Sequence, residues 1–322
     1  MRESEIIDLF ISHFKRQGDI PLGDDAGALK LGDEWLIATN DMLVRKTDVP
    51  DVMTPEQVGF KVVTMNVSDV AAMGARPIGF LFSMGVPEGI GAEYLEGIAR
   101  GMAEALDYYR IPVLSADTNE ADDLVVDGIA LGLTPAPVTR SGARPGDVVC
   151  LTGDVGRALA GYLVWKNGLD VSDKTRRVLY DRFLHPVARS TEGERLSGIA
   201  TSAIDVSDGL SKELYVISRN SGVRIEVELE SLPVREEIFE IAELMGIDPY
   251  HIVLGSGEEF ELLFTVPPHK IEELGFEFTV IGVVKEGNGV YYRSGGRVQE
   301  LPLVGWEHLS SKNGGIYRPL FR

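Results

Sequence analysis

The stretch from Thr54 to Ala72 constrains the fold most, because it is helical in pattern yet apolar on nearly every side: Val58, Phe60, Val62, Val63, Met65, Val67 and Val70 fall all round it. A helix at a protein surface needs only one apolar stripe. This one has to be covered on all sides, so the chain must place layers both beneath and above it. Its start is marked by Thr54-Pro-Glu-Gln57, a capping box with proline at the first helical position. Asn66 and Asp69 interrupt the apolar surface and, at i and i+3, share one face. A carboxylate in such surroundings costs several kcal/mol unless a cation or a donor meets it. Two readings follow: Ser68 caps a new helix whose dipole favours Asp69, or Asp69 serves a cation. The same choice arises at Asp205-Val-Ser-Asp-Gly209, where Ser207 could cap a helix running through Leu210 and Leu214.

At roughly 150 residues per domain, 322 residues suggest two domains, each able to bury its own core. Trp35 to Thr39 reads as a strand. Ala92 to Tyr109 reads as a helix, with Leu95, Ile98, Met102 and Leu106 at three- and four-residue spacings. Ile111 to Leu114 and Leu124 to Leu133 read as strands, and Thr134-Pro-Ala-Pro137 breaks the pattern. This sets an expected boundary between a domain at 1–137 and a second at 138–322. In the second, a strand through Cys150 leads to glycine turns at Gly153 and Gly156 and a helix carrying Leu159, Leu163 and Trp165. Strands are expected again at Val223 to Leu229 and Glu259 to Val266, with turns at Gly287-Asn-Gly289 and Ser294-Gly-Gly296.

A net charge of −19 argues against a nucleic-acid backbone or an anionic membrane as principal partner. No uncharged stretch approaches the ~18 apolar residues of a membrane span. The N-terminus shows the amphipathic spacing Ile6, Ile7, Phe10, Ile11 and Phe14 rather than a secretory signal, so a cytoplasmic location is expected. The single cysteine, Cys150, reads as a buried strand thiol, and the histidines (13, 185, 251, 269, 308) lack metal-binding spacing.

Further acidic sites punctuate apolar or glycine-rich contexts: Gly23-Asp24-Asp25-Ala26, Thr39-Asn40-Asp41 at a strand end, and Asp117-Thr118 after a strand. Each alone is an ordinary turn or terminus. Were Asp25, Asp41, Asp69, Asp117 and Asp205 to converge, each pair at ~4 Å would repel by about 4 kcal/mol at an effective dielectric of ~20. Such a cluster must protonate or bind metal. Oxygen-only ligands favour magnesium, which keeps waters and also takes phosphates.

Across nearly the whole chain these residues lie in long motifs: Asn66-Val-Ser-Asp-Val-Ala-Ala-Met-Gly-Ala75, Thr139-Arg-Ser-Gly-Ala-Arg-Pro-Gly-Asp147, Ser202-Ala-Ile-Asp-Val-Ser-Asp-Gly-Leu210 and Gly257-Glu-Glu-Phe-Glu-Leu262. In them the sequence resembles the thiamine-monophosphate kinases of the wider aminoimidazole ribonucleotide synthetase superfamily. The resemblance implies an α/β (α+β) fold of two domains. The N-terminal mixed sheet with its helices would form a barrel across a homodimer, and the C-terminal domain would be an α/β sandwich completing the active site. It implies a magnesium shell of Asp25, Thr39, Asn40, Asp41, Asp69, Asp117 and Asp205, with Asp208 holding a further ion. It implies ATP contacts from Tyr109, Asp117, Arg140 and Ser207, and thiamine-phosphate contacts from Glu258 and Trp306. Asp48 stands where many members have a histidine that contacts substrate. Ser115-Ala116 replace the usual Gly-Gly, and Phe260 replaces a tyrosine.

The implied reaction moves the γ-phosphoryl of ATP onto thiamine monophosphate in line, giving thiamine diphosphate. The acceptor phosphate has a second pKa near ~6, so no general base is needed, and Asp69 and Asp205 would act only through metal. A purine-pathway synthetase of the same superfamily and a non-catalytic divalent-ion-binding protein remain as alternatives.

Overall fold

The computed structural model describes residues 3–20 and 22–306. Its strands form two sheets. The first holds β1 (Gly27–Leu31), β2 (Glu34–Val44), β3 (Arg76–Val86), β4 (Val113–Glu120) and β5 (Val125–Thr134), in the order β1-β2-β5-β3-β4. β3 and β4 are parallel, joined by the Ala92–Tyr109 helix, and the other pairings are antiparallel. The second holds β6 (Val148–Leu151), β7 (Ser202–Asp205), β8 (Arg224–Glu228), β9 (Leu262–Val266), β10 (Thr279–Lys285), β11 (Gly289–Ser294) and β12 (Arg297–Glu300). Its order is β12-β11-β8-β10-β6-β9-β7. The architecture is thus mixed α/β on two sheets, and neither sheet closes on itself among the described residues.

The helix at Pro55–Ala72 is apolar all round because both halves of the molecule cover it. Val58, Val62, Val63 and Val67 join the core of the first sheet, while Ala71 and Ala72 pack with Cys150, Leu196, Ala203, Leu262 and Phe264 of the second half. Its capping box forms in full: Thr54 Oγ1 accepts from the Gln57 backbone N–H at 3.3 Å and Gln57 Oε1 accepts from the Thr54 N–H at 2.9 Å. The neighbouring Ala92–Tyr109 helix approaches so closely that a Cβ on Gly101 would lie 1.8 Å from the Glu56 carbonyl oxygen. Glycine is therefore a packing requirement there.

Several expectations need correction. Thr39, Asn40 and Asp41 lie within β2 rather than at its end, and β4 begins at Val113 and runs through Asp117. Ser68 caps nothing, since the helix continues unbroken to Ala72, and the helix Leu210–Ser221 has Gly209, not Ser207, at its N-cap. β9 starts only at Leu262, because Glu258 and Phe260 have φ of 56° and 50° and leave the extended region. Cys150 is a fully buried strand thiol, and burial pushes its pKa up to about 12. No helix among the described residues is long and apolar enough to cross a membrane.

Candidate active site

Three separate elements deliver acidic side chains to one point between the two sheets. Asp25 comes from the turn before β1, Asp69 from the last turn of the central helix, and Asp205 from the C-terminal end of β7. Their carboxylate oxygens lie within 4.8 Å of one another. Asp25 and Asp205 are buried. Burial, then repulsion from Asp41, Asp205 and Asp25, holds the Asp69 pKa well above the ordinary carboxylate range. Burial, followed by Asp25, pushes Asp205 up to about 7. Burial also raises Asp25, and burial with the neighbouring Asp25 charge pushes Asp24 up to about 6.

Local structure supplies some donors. Thr39 Oγ1 donates to Asp69 Oδ2 at 2.6 Å, and Ser68 Oγ donates to Asp205 Oδ2 at 2.6 Å. Arg140, from the motif preceding β6, places Nη2 2.7 Å from Asp25 Oδ1, while its backbone N–H donates to Asp24 Oδ1 at 2.9 Å. Asn66 accepts from the Asp41 N–H at 2.9 Å and so fixes β2 against the helix. Gly128 on β5 makes room for it, since a Cβ there would lie 2.3 Å from Asn66 Nδ2. Asp25 Oδ2 and Asp205 Oδ1 are buried without a hydrogen-bond partner among the described residues. One guanidinium therefore faces several carboxylates, and two of their oxygens are left over. A hard divalent cation such as magnesium fits this donor set.

The remaining predicted residues divide. Ser207, Asp208, Glu258 and Trp306 are brought together by backbone hydrogen bonds: the Glu258 N–H donates to the Ser207 carbonyl at 2.7 Å and the Trp306 N–H to the Asp208 carbonyl at 2.8 Å. Lys212 pairs with the Asp208 carboxylate and also donates to the Trp306 carbonyl at 2.9 Å. The Trp306 ring is half-exposed. Asn40 is exposed, opposite in strand parity to buried Thr39, and Asp117 stands on the exposed strand β4, outside the three-carboxylate group. The Asp48 carboxylate turns back onto the end of β2, where Oδ2 accepts from the Val44 N–H at 2.7 Å. The Tyr109 hydroxyl lies 3.1 Å from Thr64 Oγ1 and accepts from the Ala188 N–H at 2.9 Å, and burial pushes its pKa up to about 12.

Two residues of the site were missed in the sequence. Glu213 is buried, accepts from the Asp208 N–H at 3.1 Å, and is held well above the ordinary glutamate range by burial, then by Asp208 and Asp205. Its signal was its spacing: three residues after Leu210, it shares that leucine's apolar helix face. Lys61 is the lone cation in the central apolar helix, and its ammonium lies 2.5 Å from Glu258 Oε1.

Known proteins resemble this chain over both of its halves. Residues 23–134 match the N-terminal domain of AIR synthase related proteins, and residues 144–294 match the C-terminal domain of the same family. The thiamine-monophosphate kinase of Pyrococcus abyssi is 52% identical over 98% of this chain and 97% of its own. That of Pyrococcus horikoshii is 49% identical over 98% of each. Among solved structures, AaThiL complexed with AMPPCP and TMP superposes with a TM-score of 0.87 at 30% identity, over 95% of this chain and 97% of that one. The hydrogenase maturation protein HypE in complex with ATP, at 21% identity and a TM-score of 0.70, is alike in fold alone.

Proposed function

Because the chain belongs to the AIR synthase related family, and within it to the thiamine-monophosphate kinases, we propose that it transfers the γ-phosphoryl of ATP directly, in line, onto the phosphate of thiamine monophosphate with the aid of magnesium. The observation that carries the magnesium is the meeting of Asp25, Asp69 and Asp205, with oxygens on the two buried ones left without a hydrogen-bond partner among the described residues. Asp25, Asp69 and Asp205 would hold the ions, with Thr39 and Asp41 beside them and Asp208 serving a further one. When bound, magnesium would supply positive charge that lets two polyanions approach.

The protein's own groups do the rest. The acceptor phosphate, with a second pKa near ~6, is already a dianion at neutral pH, so no side chain has to take a proton from it. Arg140 offsets part of the acidic charge at Asp25, and its Nε, without a hydrogen-bond partner among the described residues, would serve the nucleotide phosphates. Ser207 stands in the same loop as Asp208, next to Glu258 and Trp306, which would receive the thiamine moiety. In this reading the Glu258 carboxylate, the Trp306 ring and the acidic cluster would serve one site drawn from both halves of the chain.

Dimerisation fits the first sheet. β4 is exposed along its whole length, with Val113 and Leu114 half in solvent, and a second copy paired along such an edge would cover them and could complete a barrel. The reaction's need for ATP agrees with a cytoplasmic location.

The test is product analysis with the purified chain, ATP, magnesium and, in parallel, thiamine monophosphate, thiamine and aminoimidazole precursors. Thiamine diphosphate should form from thiamine monophosphate alone. Asp69→Asn should lower turnover by more than about a hundredfold while the protein stays folded. Wild-type-like activity of that variant at saturating magnesium would remove Asp69 from the metal shell.

A further inference from the structure

We propose that Lys61 is a positioning residue of the acceptor site, holding the Glu258 carboxylate in place for the cationic, organic end of the substrate; this rests on the kinase reading above. The side chain of Lys61 is only 3% exposed, within a helix whose neighbouring Val62 and Val63 are fully buried. An ammonium in that position is costly unless partnered. Its long stem carries the charge out of the core to two acceptors, the Asp48 carbonyl at 3.2 Å and Glu258 Oε1 at 2.5 Å. The second belongs to the other half of the molecule, so this cation joins the two halves.

Glu258 is unusual in its own right. Its φ of 56°, closely followed by 50° at Phe260, puts two non-glycine residues in the left-handed region within three positions. Such backbone persists only where the surroundings fix it, and it gathers at functional sites. Here the backbone is fixed by the hydrogen bond to the Ser207 carbonyl and the carboxylate by Lys61. The Glu258 side chain stays 42% exposed, so the pairing directs it without burying it.

Lys61 and Asp69 ride on one continuous helix, eight residues and therefore about 12 Å apart along its axis. That helix sets the separation between the acidic cluster, where phosphates would meet, and the carboxylate anchored about two turns earlier, at Lys61. A thiamine phosphate has that polarity, with phosphate at one end and a thiazolium and an aminopyrimidine toward the other. Lys61 would therefore act on acceptor binding through Glu258 and leave nucleotide binding alone.

Steady-state kinetics of Lys61→Met, with each substrate varied in turn, test this. We expect KM for thiamine monophosphate to rise about tenfold to a hundredfold, with KM for ATP and kcat within about threefold of wild type. Lys61→Gln keeps a donor for the Asp48 carbonyl while losing the charge. It should show the same split, and it replaces Lys61→Met if that variant does not fold. Combining Lys61→Met with Glu258→Gln should add little to Glu258→Gln alone, because both remove one interaction. An unchanged KM for thiamine monophosphate, an equal rise in both KM values, or additive effects in the double variant would overturn the role of Lys61. Wild-type protein that does not phosphorylate thiamine monophosphate would instead remove the kinase reading itself.

Discussion

Ser68 Oγ donates to Asp205 Oδ2 at 2.6 Å across 137 positions of sequence, tying the central helix to the end of β7. The bond also stabilises the ionised form of a carboxylate that burial and Asp25 otherwise push up to about 7. Asp205 Oδ1 has no partner among the described residues, so this serine is the one hydrogen-bond donor to that side chain there.

Ser68→Ala should therefore make protons better competitors for the site. With the donor gone, the Asp205 pKa rises further and the metal must displace a proton more often at neutral pH. The half-saturating magnesium concentration for activity is expected to increase by about three- to tenfold near neutral pH and to converge on wild type at alkaline pH. A magnesium titration at several pH values checks this, and a shift that does not shrink as pH rises would contradict it.

The metal-free protein should lose stability as pH rises. Asp205 and Asp69 have folded-state pKa values raised above those of the unfolded chain, so the folded state retains protons that the unfolded state has released. Stability is then full below the ordinary carboxylate range and declines as pH climbs, for Asp205 through about 7. Magnesium cancels the repulsion by binding the ionised forms. Melting temperatures in chelator should fall between about pH 5 and about pH 8, and magnesium should restore more at the alkaline end. A melting profile in chelator that is flat over this range would show that the carboxylates do not carry the strain.

A second ionic cluster serves the fold of the C-terminal half. Arg182 lies 3.3 Å from Glu259 Oε2 and also pairs with Glu261, which Arg189 meets at 2.6 Å. Both glutamates are fully buried. Arg182→Met removes the cation and leaves the carboxylates, an asymmetric loss worth about 3–5 kcal/mol. Burial already raises the Glu259 pKa, with Arg182 the first influence lowering it, so the deficit should grow as pH rises above the ordinary glutamate range. Urea unfolding with an unchanged slope and a lower midpoint is the expected result.

Legibility in the sequence followed the reach of each signal. The start and the apolar surface of the central helix were readable because a capping box and an apolar pattern are local, and its burial on all sides then required cover from both halves; its continuation past Ser68 was not, since a serine before an aspartate reads equally as a new cap. Asp25, Asp69 and Asp205 stood out because acidic residues in apolar or glycine-rich context need a partner. Lys61 carried the same kind of signal, a lone charge in an apolar helix, but its partner Glu258 lies far along the chain and on the other half. The late start of β9 was hidden because nothing in Gly257-Glu-Glu-Phe260 marks two non-glycine residues as left-handed. Asp48 aligned with a substrate-binding position, and its Oδ2 also accepts from the Val44 N–H, a local geometry that alignment does not carry.

Tyr109 offers a test of how far the site reaches into the core. Its hydroxyl bridges Thr64 Oγ1 and the Ala188 N–H, so it fastens the end of the Ala92–Tyr109 helix to both the central helix and the second half of the chain. Tyr109→Phe keeps the ring and strands a buried N–H, which should cost about 1–3 kcal/mol of stability. With both of those groups engaged inside the protein, KM for ATP should stay within about twofold of wild type, because any contact of the ring with nucleotide survives the substitution. A rise in KM for ATP beyond the change in stability would mean that the hydroxyl leaves its internal partners when nucleotide binds, and hydrogen exchange at the Ala188 amide would then increase on adding ATP.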